Sequence, residues 1–354
     1  MSRARRWITA VLIALTLIGI GGCWDERDIS DRSPALGFGF DYHRSSGWSV
    51  AMSEVRFVQG TPSSYTGTLF QGAGPDLRSA MEDLRSHVGR EIYLGSVKIF
   101  VLGPGLMENG VRDAIRLLQW NEEIDRTAFL VTTTKDPALI LSSSGPAGPN
   151  VVRLLKAFET HKDVRDGFAE EPLWDAIRSL STPGTTFQVP IFDSSATGTT
   201  YTNGTAFVGP DGRLSARLDT EHSKYLRWLM NRSSREVLAL PDGQQVRTST
   251  VRTQVHFLGS SRRVLVDVAV TADGHLVHAS LFTSEVRRHL AGEVAALAIQ
   301  HLTEALHALQ YAGADVPTWK EIASAAGYED WSLPKSTIQV RVRTTVAPFT
   351  SSGF

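Results

Sequence analysis

The sequence predicts a mixed α/β and α+β fold of more than one domain, and three observations lead to that prediction. In residues 35–192, segments typical of buried strands alternate with segments of helical periodicity, as in α/β proteins. Further along the chain come long strand segments and one long helical segment. A small, polar stretch at 193–204 separates the two patterns. We therefore predict an N-terminal α/β domain over 23–195 and a C-terminal α+β domain over 200–354, the latter with long antiparallel strands.

Short-range patterns predict the N-terminal elements. Residues 35–42 and 48–58 are strand-like segments on either side of a Ser-Ser-Gly turn, a combination that favours a hairpin. Residues 59–75 are rich in Gly, Ser, Thr and Pro, which favours a loop. Apolar residues spaced four, three and four apart then predict a helix over 77–88. The apolar run 92–102 has the composition of a buried strand.

The predicted C-terminal elements are longer. Residues 246–258 and 262–271 read as two strands, and Ala272-Asp273-Gly274 predicts a tight turn into a third strand at 275–280. Residues 285–310 have a continuous apolar stripe with charged residues beside it, which predicts a long amphipathic helix. Residues 337–347 alternate polar and apolar side chains, as an edge strand or a strand buried on one face does.

Composition and charge exclude several classes of protein. The chain has 354 residues, with 36 Lys and Arg against 37 Asp and Glu, and a formal net charge of −1. The balance of apolar and charged residues is that of a folded protein rather than a disordered one, and the lack of a basic excess argues against nucleic-acid binding. The single cysteine excludes an intramolecular disulfide and a cysteine-based metal cage.

The N-terminus has the three-part pattern of a secretory signal. Three arginines lie within the first six residues, and an uncharged run of 14 residues, 7–20, follows them. Two glycines and Cys23 come next. The three-part pattern indicates export. The apolar run is shorter than the roughly 20 residues that a membrane-spanning helix needs, which argues against a spanning segment. A spanning helix is the secondary interpretation.

The segment Ile20-Gly21-Gly22-Cys23 resembles a bacterial lipobox, in which a peptidase cleaves before the cysteine and its sulfur carries a diacylglycerol. We therefore predict a lipoprotein signal peptide over 1–22 and lipidation of Cys23. Each buried CH₂ of an acyl chain contributes about 0.8 kcal/mol to membrane attachment. The alternative is an inert, buried cysteine next to an ordinary signal peptide.

The sequence contains no strong catalytic or metal-binding motif. The nucleophile elbow G-x-S-x-G, the phosphate loop G-x-x-x-x-G-K and the zinc motif H-E-x-x-H are all missing. His275 and His278 would point to opposite faces of their predicted strand. His301 and His307 are six residues apart on the predicted long helix and miss the i, i+4 spacing of a metal pair. We therefore predict no catalytic residue, no cofactor and no metal site, and structural or solvated roles for these histidines.

Several segments resemble the Ger(x)C family of spore germination lipoproteins. Gly22-Cys23-Trp24-Asp25 resembles the start of the mature chain in that family. The further blocks that resemble the family are, in chain order, residues 35–41, 89–95, 97–103, 123–126, 204–207 and 225–228, then Trp319 and Trp331. Each block alone is weak, but their common order over nearly the whole mature chain is specific. Ser96 and Ala216 depart from the family, which has histidine and glycine at these positions.

The resemblance implies the C subunit of a nutrient germinant receptor, with mixed α/β domains and no known catalytic residue. It also implies a protein held on the outer face of the cytoplasmic (spore inner) membrane, through membrane lipid at acylated Cys23. Its implied partners are the A-type and B-type receptor subunits. The alternative is a lipid-anchored extracytoplasmic solute-binding protein or hydrolase, which would need a pocket with convergent polar groups and perturbed pKa values.

Overall fold

The computed structural model describes residues 32–57, 65–142, 149–160, 168, 170–232, 236–258, 262–274 and 283–348. It is a mixed α/β structure, as the sequence predicts, and its strands form two mixed sheets. The elements of the first sheet and its helices are β1 (Arg32–His43), β2 (Gly47–Phe57), β3 (Tyr65–Gly74), α1 (Leu77–Val88), β4 (Glu91–Tyr93), β5 (Ile99–Leu102), α2 (Pro104–Asn109), α3 (Arg112–Trp120), β6 (Phe129–Thr132), α4 (Pro137–Leu141), α5 (Asn150–Thr160), α6 (Leu173–Ser181), β7 (Phe187–Ser194), β8 (Thr200–Val208) and β9 (Leu214–Leu218).

The first sheet has parallel strands in its centre and antiparallel strands at both ends. Its order is β3-β2-β1-β5-β6-β7-β8-β9, and β4 adds to β1 outside this path. Strands β1, β5, β6 and β7 run parallel, and their crossovers contain the helices, as parallel connections require. Two apolar clusters cover the two faces of the sheet. One contains side chains of α1, α2, α3 and α6, and the other contains side chains of α4 and α5.

The second sheet is smaller and is covered on one face by helices. Its elements are α7 (Thr220–Leu229), β10 (Val237–Ala239), β11 (Gln245–Leu258), β12 (Arg263–Gly274), α8 (Ser284–Tyr311), α9 (Trp319–Ala325) and β13 (Thr337–Pro348). The order is β10-β11-β12-β13, so that β13 is at an edge, which is one of the two alternatives that its sequence pattern predicts. Strand β13 runs parallel to β12, whereas β11 and β12 are antiparallel. The buried indoles of Trp228, Trp319 and Trp331 belong to one core with α8.

The stretch between the two predicted domains connects two strands of the first sheet. Residues 193–204 include the end of β7, the turn and the start of β8, and these two strands pair antiparallel. Strands β8 and β9 therefore continue the first sheet beyond the predicted boundary. The apolar core of the second sheet also takes in Phe207 and Leu218 from these strands. The division into 23–195 and 200–354 stays a prediction about folding units.

The glycine-rich segment predicted as a loop at 59–75 contains the edge strand β3, so that prediction is wrong over residues 65–74. The physical reason is close packing against α1. A Cβ atom at Gly72 would lie 2.4 Å from the backbone nitrogen of Leu84, so only glycine lets the helix approach the strand this closely. The missing side chain serves tertiary packing here, although the same composition is typical of loops.

The predicted strand 92–102 is interrupted. Strands β4 and β5 both pair with β1, and a single turn of 3₁₀-helix, Leu94–Ser96, separates them. The Ser96 hydroxyl lies 2.9 Å from the carbonyl oxygen of Ala35 and 3.0 Å from that of Tyr93. These hydrogen bonds fasten the turn to β1, so the serine at this position has a structural role.

The tight turn predicted at Ala272-Asp273-Gly274 is also wrong. Strand β12 continues through these residues, and Gly274 pairs with Val246 on one side and Pro348 on the other. A central strand between two long neighbours gains backbone hydrogen bonds by continuing, and this outweighs the local preference of Asp-Gly for a turn. The predicted strand at 275–280 lies outside the described residues.

A buried ion pair lies in the core of the second sheet. Arg227 and Glu236 are both almost fully buried, and their Nη2 and Oε1 atoms are 3.2 Å apart. The Trp228 indole donates a 2.9 Å hydrogen bond to Glu236 Oε2. Burial raises the pKa of Glu236 from 4.5 to about 7, although Arg227 and the indole act in the opposite direction. Removal from water therefore destabilises the ionised form of Glu236 by more than Arg227 and the indole hydrogen bond stabilise it.

The raised pKa predicts a loss of stability with rising pH. Between pH 4.5 and 7 the folded chain retains a proton on Glu236 that the unfolded chain releases, so the free energy of unfolding falls as the pH rises. The contribution is at most about 3 kcal/mol, at about 1.4 kcal/mol for each pKa unit. Urea unfolding from pH 5 to 8 should show this slope in the wild type and a flatter one in Glu236→Gln. The exposed variant Glu329→Gln should keep the wild-type slope, and an equal slope in all three proteins would contradict the assignment.

Candidate functional site: an apolar cleft beside the first sheet

An open cleft of about 560 Å³ lies between α1 and α3, above β1. Phe38 and Phe40 form its floor, because residues two apart on a strand point to the same face. Their rings are 5.0 Å apart and buried. Met81 of α1 and Ile124, in the loop after α3, are also buried beside the cleft. The floor is thus continuous with the core of the first sheet.

The outer wall of the cleft exposes large apolar side chains. Leu117 is 37% exposed and Trp120, the last residue of α3, is 83% exposed. Two turns of α1 form the opposite wall, beginning at Leu77. This helix has a fixed start, because Asp76 Oδ1 accepts a 2.8 Å hydrogen bond from the Ser79 backbone nitrogen. An exposed indole next to an open apolar cleft is typical of a surface that binds something.

The charged residues around the cleft largely neutralise one another. Arg78 and Glu82 of α1 pair at 3.0 Å, and Arg116 and Asp113 of α3 are 3.9 Å apart. With Arg85, the rim has three arginines and two carboxylates. Because the charges lie on the rim and the interior is apolar, the cleft suits an apolar group or segment with polar flanks, rather than a highly charged ligand.

A polar cluster of α6, α9 and Arg232 joins the two halves of the chain. Arg178 pairs with Asp175 at 3.1 Å and lies 3.6 Å from Glu321 of α9. Asp175 is also 3.9 Å from Arg232. Desolvation raises the pKa of Asp175. The enclosed cavity here is only about 30 Å³, room for about one water molecule, so the main role of this cluster is a contact between the two halves.

The sequence-predicted positions fall into two groups. Cys23, His275 and His278 lie outside the described residues, and the proposed lipidation of Cys23 stays a prediction. His301 and His307 both lie on α8, where His307 is exposed and His301 contacts Glu304. The structure does not bring these two histidines together as a pair.

Sequence reasoning missed the cleft because each of its walls has an ordinary pattern. Leu77 and Met81 fit the buried stripe of α1, and only the position of α3 leaves them beside open space. One available signal was Trp120, a large aromatic residue at a helix end followed by Asn121 and two glutamates. A tryptophan next to polar and charged residues is expected at the surface, and exposed tryptophans are common among residues that anchor a binding partner.

Two family models together match most of the chain. Residues 25–194 match the family model described as "Spore germination protein N-terminal domain". Residues 203–348 match the model described as "Spore germination B3/ GerAC like, C-terminal". No curated protein matches the chain. Within the described residues, the structure contains no helix that is both long and apolar enough to cross a membrane.

A solved structure has the same fold. The crystal structure of the GerBC protein superimposes with a TM-score of 0.56 and covers 88% of this chain and 96% of its own chain. The two sequences are 14% identical. At this identity the similarity shows a common fold over most of both chains and nothing finer.

Proposed function

The chain belongs to the spore germination family of GerAC-like proteins, and on this basis we propose that it is a lipid-anchored, non-enzymatic C subunit of a nutrient germinant receptor. The observation that carries the proposal is the match of both family models, in order, over residues 25–194 and 203–348. The sequence pattern that ends at Cys23 supports the anchor. The proposed location is the outer face of the cytoplasmic (spore inner) membrane, beside the A-type and B-type subunits.

We further propose that the apolar cleft is the surface that contacts a partner subunit. Its occupant would be an apolar segment of that subunit with polar flanks, since the cleft is apolar inside and its rim charges nearly cancel. An acyl anchor at Cys23 would hold this chain at the membrane surface where the partner subunit lies. Association would then be effectively intramolecular, so a contact of moderate area would suffice.

A substitution of the exposed indole tests the cleft. Trp120→Ala is expected to weaken binding to the A-type or B-type subunit about tenfold or more, the effect typical of an aromatic anchor. Because Trp120 is 83% exposed, the thermal unfolding temperature should hardly change. Quantitative co-purification of the subunits from detergent-solubilised membranes would measure the loss. The matched control is Tyr311→Ala at the end of α8, which removes an aromatic side chain that is 97% exposed. Equal binding by both variants would exclude the cleft as the contact.

The receptor role itself predicts a nutrient-specific phenotype. Deleting the gene is expected to abolish the germination response to one class of nutrient while vegetative growth stays normal, because a receptor subunit acts only in the spore. Loss of refractility of spores on a panel of amino acids and sugars would measure it, with the restored gene as control. Normal germination on every nutrient, in a strain without paralogous receptors, would contradict the proposal.

One observation favours a second candidate, a lipid-anchored solute-binding protein. The cleft volume of about 560 Å³ lies within the range of small-molecule sites. In that case Trp120→Ala would reduce the affinity for a nutrient and leave subunit association intact. Equilibrium binding of radiolabelled nutrients to the purified chain separates the two roles.

A further inference from the structure

We propose that His222, His301 and Glu304 bind one divalent transition-metal ion, with zinc as the best fit. His222 lies on α7, and the other two residues lie one turn apart on α8, so their side chains share a helix face. One nitrogen of each histidine and one oxygen of Glu304 lie within 4.8 Å of one another. The site therefore bridges two helices that pack over the second sheet.

The distances fit tetrahedral coordination. Glu304 Oε2 is 3.3 Å from His222 Nε2 and 3.2 Å from His301 Nδ1. Ligand atoms around a tetrahedral zinc ion, at bond lengths of about 2.0–2.1 Å, lie about 3.3 Å apart. Two of the three edges already have this length, so an ion could enter with small side-chain rotations. Nitrogen and carboxylate ligands also match the preference of zinc.

Neighbouring residues orient the three ligands. Asp219 Oδ1 lies 2.8 Å from His222 Nδ1, which favours a proton on that nitrogen and leaves Nε2 as the electron-pair donor. Gln300 donates a 3.0 Å hydrogen bond to Glu304 Oε1 and leaves Oε2 directed at the histidines. The ring of His301 stacks on Tyr225 with centroids 4.8 Å apart. Each ligand thus has one atom or face held in place and another presented to the site.

One of the three candidate ligand atoms, His301 Nδ1, is buried without a hydrogen bond in the described part of the chain. It is shielded from solvent, and its 3.2 Å contact with Glu304 Oε2 lacks hydrogen-bond geometry. Uncompensated burial of such a nitrogen is costly, and a metal bond would satisfy it. Glu304 remains partly exposed, so the site is accessible to an ion and leaves a fourth position for water or a ligand from outside.

The experiment uses the full chain, purified in detergent without a histidine tag and stripped with a chelator. We expect one Zn²⁺ per chain by equilibrium dialysis and metal analysis, and the visible absorption of four-coordinate cobalt when Co²⁺ replaces it. Saturating Zn²⁺ should raise the unfolding temperature of the chain by roughly 5 °C. His301→Ala and Glu304→Gln should each weaken binding by at least tenfold.

The exposed His307 on the same helix supplies the matched control, since His307→Ala should bind as the wild type does. Glu304→Gln keeps the shape of a partly exposed side chain, and circular dichroism will verify that the variant is folded. Zinc binding that is absent at micromolar concentration, or that is unchanged in Glu304→Gln, would overturn the proposal. This readout is independent of germination and of subunit association, so its failure leaves the proposed receptor role untouched.

Discussion

Replacing Cys23 by alanine is expected to abolish both acylation and stable membrane attachment. The thiol is the only one in the chain, so no other cysteine can accept the lipid. Each buried CH₂ contributes about 0.8 kcal/mol, and loss of two or more acyl chains removes practically all of the attachment free energy. The protein should then either keep its signal segment or appear in the soluble fraction.

Metabolic labelling with a clickable fatty acid measures the first effect, and membrane fractionation measures the second. Cys23→Ser is the closest control for side-chain volume and should also lose the label, because acylation requires the sulfur. A folded Cys23→Ala protein that still carries the label would show that the anchor is elsewhere. If the anchor serves the receptor, Cys23→Ala should impair germination more than substitution of any single histidine or acidic residue.

The second large effect is expected at Asp193. This buried carboxylate accepts hydrogen bonds from the Thr133 hydroxyl at 2.9 Å, from the Thr134 backbone nitrogen and hydroxyl at 2.9 and 2.8 Å, and from the Asn203 amide at 2.7 Å. It connects the ends of β6, β7 and β8. Burial acts to raise its pKa, but these hydrogen bonds outweigh burial, so the net shift lowers the pKa.

Asp193→Ala is expected to lower the free energy of unfolding by about 3–5 kcal/mol, because it leaves several buried donors without an acceptor. That is a large share of the 5–15 kcal/mol typical of a domain. Asp193→Asn keeps one carbonyl oxygen and should cost less. Urea unfolding of the wild type and both variants at pH 7 measures the differences.

A control substitution and the pH dependence of stability test the role of the Asp193 carboxylate. The exposed substitution Asp330→Ala should change the stability by less than about 0.5 kcal/mol. Because folding lowers the pKa of Asp193, its contribution is present at neutral pH and is lost as the pH falls below the ordinary value for aspartate. The difference in the free energy of unfolding between the wild type and Asp193→Asn should therefore become smaller at acidic pH. A cost for Asp193→Ala equal to that of Asp330→Ala would refute its role.

Elements that depend on neighbouring residues were predictable from the sequence. The apolar stripes of α1 and α8 and the Ser-Ser-Gly hairpin of β1 and β2 are local patterns, and the structure confirms them. The family was predictable as well, because short blocks in a fixed order identify it even where each is weak.

Predictions failed where composition and tertiary packing favour different structures. The glycines of β3 are typical of a loop, and they lie in a strand because α1 packs on Gly72. Asp273 and Gly274 are typical of a turn, and they continue β12 because it has a partner on each side. In both cases distant contacts outweigh a local preference of about 1 kcal/mol.

The sequence by itself determined the class of each half, the proposed export signal and the family. Only the tertiary structure decided which distant residues meet. Asp193 has the appearance of a linker residue and becomes the centre of a buried hydrogen-bond cluster. His222 meets Glu304 across 82 positions of chain, and the cleft exists because α1 and α3 lie apart over β1. The physical reason is that side-chain periodicity encodes which face of an element is buried, whereas pairing between elements depends on the summed packing of the whole core.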